Sequence, residues 1–533
     1  MPAHTRLLSA LLGRGYFPKE LPPPFATRSF AAVCLSGEPL PAAFQKQKLA
    51  TPLCEHILAQ PGNRRRTLAL PNPVTQHALA ALVAHEWASI KAFTDESEIS
   101  LSKPRTSRLR ALEPTHPLAK LPEHRAMLRT KGRYLVRADV AQFYPSVYTH
   151  SIAWALHGLS KAKRFKNDKA LLGNRLDRAI RNTQDQQTKG IPIGPDTSLV
   201  AAEIILSRVD NRVMKDSALS GMRHMDDFEF PCADHAEAAR VQASVEEALR
   251  DYQLAPNSEK TGIKPLPQVL EYPWVSELRS FRIAATSRAQ HYDLLRLFDR
   301  AVELAAAYPA GNILKYAIRR MHEAKLHRDN KGFFQSVIFQ AINSEHGVLP
   351  LAVEILGQMQ ADGFEVDLDA LANVLAGTVT TCSQTRLASE VSWALWAAIR
   401  FDCQLTEHAT TQLAEWDDSV VCLLALDARE RGLVPNGAAL DRWKSMCAPN
   451  ALTGRNWLLA YEAPLHGWLE QSHFDDDKQD EKSEAYDFLA QNEARFYDSD
   501  DDDDDDDDDD EHEHEHEHER KREDAESLTD DSY

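Results

Sequence analysis

The 533-residue chain carries a lone aspartate, Asp139, and 87 residues beyond it the adjacent pair Asp226-Asp227, with the stiff segment Gly190-Ile191-Pro192-Ile193-Gly194-Pro195 between them. Each acid sits in a pattern that dictates its surroundings. In the segment from Tyr134 to Val140, the residues Tyr134, Val136, Ala138 and Val140 alternate with Leu135, Arg137 and Asp139, which is the two-residue period of a strand with one apolar face. Asp139 is therefore expected to point away from that apolar side. From Met222 to Phe230, two short apolar runs flank the paired acids, the pattern of a hairpin that carries them at its tip.

Three carboxylates on two separate strands suit a hard divalent cation. Mg²⁺ binds through one or two carboxylates and completes its shell with phosphate oxygens and water. Two such ions about 3.5 to 4 Å apart, bridged by Asp139 and Asp226, fit attack by a 3′-hydroxyl and departure of pyrophosphate, the chemistry of nucleotidyl transfer. Asp227 is then the auxiliary carboxylate. Alone, adjacent acids are ordinarily a solvated turn; it is the conjunction with Asp139 and the Gly/Pro segment that gives them chemical meaning. In that segment Gly190 and Gly194 let the backbone approach a base pair closely, while Pro192 and Pro195 restrict the alternatives. Leu199 to Val209 reads as a helix leaving the loop, with Leu199, Ala202, Ile205, Leu206 and Val209 on one face.

These segments resemble the motifs of reverse transcriptases, in the family's order. Asp139 to Ser146 resembles motif A, Gly190 to Ser198 motif B, His224 to Asp227 motif C, and Leu254 to Thr261 motif D. The runs Phe143 to Ile152 and Gly194 to Ser198 are most similar to bacterial reverse transcriptases of antiphage defence and abortive infection. The resemblance implies an α+β right-hand polymerase: residues 1–130 as an N-terminal and fingers region, 131–285 as the palm and 286–470 as an all-α domain, for which the apolar spacing suggests a HEAT-like stack with an irregular helical bundle as the alternative; composition makes 471–533 an acidic tail. It implies metal binding by Asp139, Val140, Asp226 and Asp227. It makes Tyr144 the aromatic gate that packs under the incoming sugar and rejects a 2′-hydroxyl, and Lys260 the motif D lysine beside the triphosphate, where an ammonium can protonate pyrophosphate. Ile193 and His224 depart from the family pattern, which commonly has glutamine and an aromatic residue there. Neither is a metal position, so the change bears on template and primer contacts.

A triphosphate also requires cations. The candidates are Lys103, Arg105, Arg108 and Arg110 upstream of motif A, together with Arg64, Arg65 and Arg66. Arginine grips phosphate oxygens with two parallel hydrogen bonds. The formal charge of -19, from 61 basic and 80 acidic residues, at first opposes nucleic-acid binding. Residues 471–533 hold 30 acids and 6 bases, which leaves 50 acids and 55 bases, a net +5, for residues 1–470; residues 1–130 alone hold 17 bases and 9 acids, a net +8. A mild basic excess permits contact with phosphates.

Asp500 to Asp510 is unbroken aspartate, followed by alternating Glu and His through Glu519. Such a run repels itself and has nothing apolar to bury, so a solvated, disordered tail is expected, with competition for a basic cleft or metal collection as sharper roles. Helical apolar spacing recurs at Leu294 to Ala305, Ile313 to Ile318, Phe333 to Ile342, Leu349 to Met359, Val391 to Ile399 and Val420 to Leu426, without a strict repeat. Trp274, Trp393, Trp396 and Trp457 are expected in the core rather than stacked on bases. The seven cysteines lack ligand spacing and fit buried thiols in a reducing compartment. With no secretory signal and no apolar span of membrane length, a soluble cytoplasmic chain is expected.

The expected activity is RNA-directed DNA synthesis with Mg²⁺, on an RNA template, from deoxynucleoside triphosphates, giving a DNA product. A non-coding RNA, a partner protein or a second copy of the chain remain open as further partners. Untemplated or protein-primed synthesis by the same site is an alternative, as is a nucleic-acid sensor whose catalysis is dispensable.

Overall fold

The computed structural model describes residues 2–45, 49–62, 64–215, 219–435, 440–448, 450–470 and 481–499. Its described strands form three antiparallel sheets: β1 (Cys54–Gln60) with β2 (Arg64–Leu70), β3 (Pro104–Thr106) with β4 (Leu112–Pro114), and a four-stranded sheet of β5 (Tyr134–Ala138), β6 (Met222–His224), β7 (Asp227–Cys232) and β8 (Gly262–Pro265) in the order β6-β7-β5-β8.

The four-stranded sheet carries the acids because of its register. Ala138 pairs with Phe228 and His224 pairs with Asp227, so the end of β5 and the β6–β7 turn lie side by side. Leu135 and Val136 are both fully buried, which corrects the expected single apolar face: the helix His235–Asp251 packs on β5, and the sheet is covered on both sides at that point. Asp139 follows the strand and is itself buried, held in a protein environment rather than turned out to solvent. The Gly/Pro loop leads into the helix Asp196–Val213, which starts earlier and ends later than the apolar spacing indicates and is buried along most of its length.

The described residues between 287 and 465 form helices from Ser287–Ala307 to Trp457–Leu465, including Ile313–His322, Lys331–Ser344, Leu349–Ala361, Ala388–Arg400 and Ser419–Glu430 on the expected apolar stretches. Trp274, Trp396 and Trp457 are buried, while Trp393 is half-buried and lines a cleft.

The end of the chain departs from expectation. Residues 481–499, assigned by composition to the tail, contain the helix Glu481–Gln491 and close on the N-terminal segment. Phe496 is fully buried among Tyr16, Phe17, Phe30, Trp457 and Tyr461. Ser29 Oγ donates to the Arg495 carbonyl at 2.8 Å, and the Asp498 amide donates to Pro24 at 2.9 Å. The apolar residues Ala485, Tyr486, Leu489, Phe496 and Tyr497 outweigh the surrounding acids here because they bury against a ready-made aromatic surface. The poly-Asp and Glu-His runs lie outside the described residues.

All seven cysteines are free and buried. Among the described residues no helix is long and apolar enough to cross a membrane.

Candidate active site

At the β6–β7 turn Met225 adopts a left-handed backbone, φ 51°. An unbranched side chain accepts this conformation only when neighbours hold it. The Met225 amide donates to Ser102 Oγ, and its carbonyl accepts from Arg223 Nη1 at 2.8 Å. Arg223 is 0% exposed and sits between Glu203, 1% exposed, and Asp210, 0% exposed, both on the Asp196–Val213 helix. Its guanidinium donates to both carboxylates over 2.7–3.0 Å, while Ser100 and Ser97 donate to the same two acids at 2.9 and 2.6 Å. A fully paired buried ion cluster fixes one geometry more than it adds stability. Here it clamps the acid-bearing turn onto the helix that follows the Gly/Pro loop.

Asp139 lies under a strap from the segment Leu254–Thr261. Its carbonyl accepts from the Asn257 amide at 2.7 Å, Ala141 donates to the Ala255 carbonyl at 2.9 Å, and Val140 bridges to Pro256. Lys260 Nζ donates to Asp139 Oδ2 at 3.2 Å, so the lysine expected near a triphosphate is placed on the first acid.

The three carboxylates act on one another. Asp226 is pushed up to about 7, first by burial and then by the negative charges of Asp139 and Asp227. Asp227 is pushed up to about 6 by burial, which Arg137 offsets in part and Asp139 reinforces. Burial drives His224, in the turn's first strand, down to about 4, so its imidazole is neutral and does not compensate the acids. Crowded carboxylates that resist ionisation form a site that gains by taking up a cation. This electrostatics fits Mg²⁺. Among the described residues no group of three or more His, Cys, Asp or Glu side chains is placed to hold a metal ion; Mg²⁺ binds through one or two carboxylates and completes its shell with phosphates and water.

Tyr144 is half-buried four residues after Val140, past a left-handed Gln142 (φ 45°) that turns the chain into the short helix Phe143–Ser146. Its hydroxyl is raised by burial first and by the Asp226 charge second, with Arg66 opposing. Tyr144 therefore lies within electrostatic reach of both Asp226 and Arg66. The Gly/Pro loop lies against the same segment: the Gly190 amide donates to Val147 at 2.7 Å and the Ile191 amide to Tyr144 at 3.0 Å. Gly190 has φ +86°, and Pro192 lines a cavity of about 410 Å³ bounded by Pro145, Thr67, Ala69, Lys189 and Arg455. Gly194, φ +132°, is a glycine for packing reasons, since a Cβ there would lie 2.5 Å from Pro18 Cγ.

The candidate cations separate. Arg110 donates to Asp196 Oδ1, to the Phe17 carbonyl and to the Gly194 carbonyl at 2.6–3.2 Å, so it braces the Gly/Pro loop from behind instead of presenting itself to a phosphate. Lys103 Nζ donates to the Asp95 carbonyl at 3.3 Å and lies on a loop. Arg105 and Arg108 are exposed, as are Arg64 and Arg65, and Arg65 donates to the Thr385 carbonyl at 2.6 Å. Of the sequence candidates, Arg66 is the one that acts on Tyr144.

Sequence reasoning passed over Arg125, Arg129 and Arg137. They surround Glu229 at 2.7–3.6 Å and, with Arg279, line a cavity of about 150 Å³ that reaches Asp227. Arg137 was readable, because it stands two residues before Asp139 and shares its strand face. Glu203, Asp210 and Arg223 were missed because charge is normally read as exposure.

No family model matches the sequence, and no curated protein matches it. Among solved structures, apo telomerase from Candida tropicalis superimposes with a TM-score of 0.32 at 9% identity, covering 72% of this chain and 69% of that one. Telomerase from Candida albicans in complex with a TWJ fragment of telomeric RNA gives a TM-score of 0.29 at 10% identity, covering 59% and 65%. Overlaps this partial leave the chemistry to be decided by the site itself.

Proposed function

We propose that this chain is a nucleotidyltransferase of the reverse transcriptase type, an RNA-directed DNA polymerase. The observation that carries the proposal is the electrostatic convergence of Asp139, Asp226 and Asp227 beside Tyr144, from positions up to 88 residues apart. In this reading the four-stranded sheet is the palm and the β1–β2 hairpin belongs to the fingers.

Asp139, Asp226 and Asp227, with Val140 alongside, would hold Mg²⁺, which when bound neutralises the triphosphate and activates the attacking hydroxyl. The residues of the chain supply position. Tyr144 forms the floor under the incoming sugar and selects against a 2′-hydroxyl by bulk. Arg66, whose charge reaches Tyr144, is the cation assigned to triphosphate oxygens. Lys260, paired with Asp139, is a proton donor within reach of the acids, fitted to the departing pyrophosphate. The backbone at Gly190, where no side chain obstructs, is the part of the loop offered to the paired base. The Arg223 cluster keeps the Asp226-Asp227 turn from drifting, and a displacement of about 1 Å in such a site costs on the order of a hundredfold in rate.

A role in antiphage defence is part of the proposal and is supported by the resemblance of Phe143 to Ile152 and Gly194 to Ser198. The test is to incubate the purified chain with Mg²⁺ and each dNTP or rNTP, with and without RNA templates, and to sequence the products. Template-copied DNA supports the reading, homopolymer DNA moves it to untemplated synthesis by the same site, and the absence of any Mg²⁺-dependent product overturns it.

A further inference from the structure

Among the described residues the β1–β2 hairpin is a two-stranded sheet with no third strand, an element that is marginally stable by itself. Arg66 projects from it, so its position decides whether that guanidinium is in place. Four contacts fix it to the helical region. His56 Nδ1 lies 2.9 and 3.1 Å from the two carboxylate oxygens of Asp418, and the two side chains are 1% and 8% exposed. The Ala59 amide donates to Ser389 Oγ at 3.2 Å and Arg65 donates to the Thr385 carbonyl at 2.6 Å. At the tip, Gly62 (φ +75°) packs so that a Cβ would lie 3.7 Å from Ala310.

The His56–Asp418 pair is the buried member of this set, and it is rigid at both ends. Asp418 also caps the helix Ser419–Glu430, accepting from the Val420 and Val421 amides at 3.0 and 3.1 Å. His56 stands opposite Leu68, and Leu58 stands opposite Arg66, so two residues along the ladder separate the latch from the arginine. On the other strand the Ala69 amide donates to the Ile193 carbonyl at 2.8 Å, joining the hairpin to the Gly/Pro loop. A buried polar pair adds little stability compared with an apolar pair of the same volume, and its use is to specify one arrangement.

We propose that His56 and Asp418 are positioning residues that latch the β1–β2 hairpin to the helical region, so that the nucleotide pocket is preformed and the 286–470 region makes up one wall of it. The inference deepens the reading of Arg66 as the triphosphate contact and rests on it. The latch holds the hairpin without touching nucleotide. Loss of the latch leaves the Asp139–Asp226–Asp227 cluster intact and lets Arg66 drift.

Two substitutions separate the hydrogen bond from the volume. His56→Phe keeps a ring and removes the donor, whereas His56→Asn returns an amide nitrogen near the place of Nδ1. Hydrogen exchange of the amides of residues 54–70 and steady-state incorporation are measured on the full chain. His56→Phe is expected to speed exchange in the hairpin and to raise KM for dNTP by about tenfold with kcat within about threefold of the parent, and His56→Asn is expected to restore both. Unchanged hairpin exchange in His56→Phe overturns the latch. Faster exchange with unchanged KM overturns its link to the nucleotide. If the parent chain incorporates nothing, the polymerase reading fails, while the exchange arm still decides the latch.

Discussion

Replacing Asp226 with asparagine should stabilise the sheet while destroying its chemistry. The carboxyl of Asp226 is pushed up to about 7 from an ordinary value of 3.8. A group whose native pKa lies above its unfolded value weakens the fold as pH rises: between about pH 4 and 7 the unfolded chain has released a proton that the native chain retains, so stability falls across that window. The full shift corresponds to about 4 kcal/mol. Asp226 is half-buried and lies in the field of the Asp139 and Asp227 charges, so solvent screening and coupling reduce the recoverable part to about 1–2 kcal/mol. Asp226→Asn removes the ionisation and keeps the shape. Hydrogen exchange of the amides of β6 and β7 reads the local free energy, and about 1.4 kcal/mol appears as a tenfold slowing. The expected result is a roughly tenfold slower exchange in the variant than in the parent at pH 8, no difference near pH 4, and closure of the gap when Mg²⁺ is added to the parent. Equal or faster exchange in the variant at pH 8 would refute the reasoning, because Asp226 would then lie outside the field of the other two acids.

Three further perturbations test separate parts. Arg223→Met leaves Glu203 and Asp210 buried without their partner and should cost about 3–5 kcal/mol by chemical denaturation, with loss of incorporation; Glu203→Gln with Arg223→Met should recover part of it. Arg66→Ala should raise KM for dNTP about tenfold with little change in unfolding, whereas Arg110→Ala should lower stability by about 1–3 kcal/mol through the unpaired Asp196 carboxylate; denaturation and kinetics on both variants distinguish the roles. Phe496→Ala should destabilise the chain by about 3–5 kcal/mol, measured by urea unfolding, and an effect below 0.5 kcal/mol would return residues 481–499 to the tail.

The acids were legible because local rules place them: an alternating segment ends at Asp139, and two apolar runs bracket Asp226-Asp227. The helix after the Gly/Pro loop was legible for the same reason, from the spacing of Leu199, Ala202, Ile205, Leu206 and Val209. Arg110 and Arg66 were not separable, since both are arginines in basic segments and only the tertiary fold turns one toward Asp196 and the other toward Tyr144. Arg223 hid because its partners Glu203 and Asp210 sit seven residues apart on a helix buried along most of its length, and a composition-based reading takes such acids for exposed ones. The docking of Phe496 against Tyr16 and Phe30 carries no local signal in either segment, although the Ala485–Tyr486–Leu489 spacing marks a helix inside the acidic stretch. The His56–Asp418 latch joins residues 362 positions apart and was invisible for that reason.

The central claim, that Asp139, Asp226 and Asp227 work as one catalytic cluster, is tested most directly by Mg²⁺-dependent incorporation of labelled dNTP by the parent chain and by Asp139→Asn, with hydrogen exchange confirming that both are folded. Incorporation by the parent and a loss of at least about a thousandfold in the variant is the predicted result. Incorporation by a folded Asp139→Asn at a rate near the parent's would contradict the account.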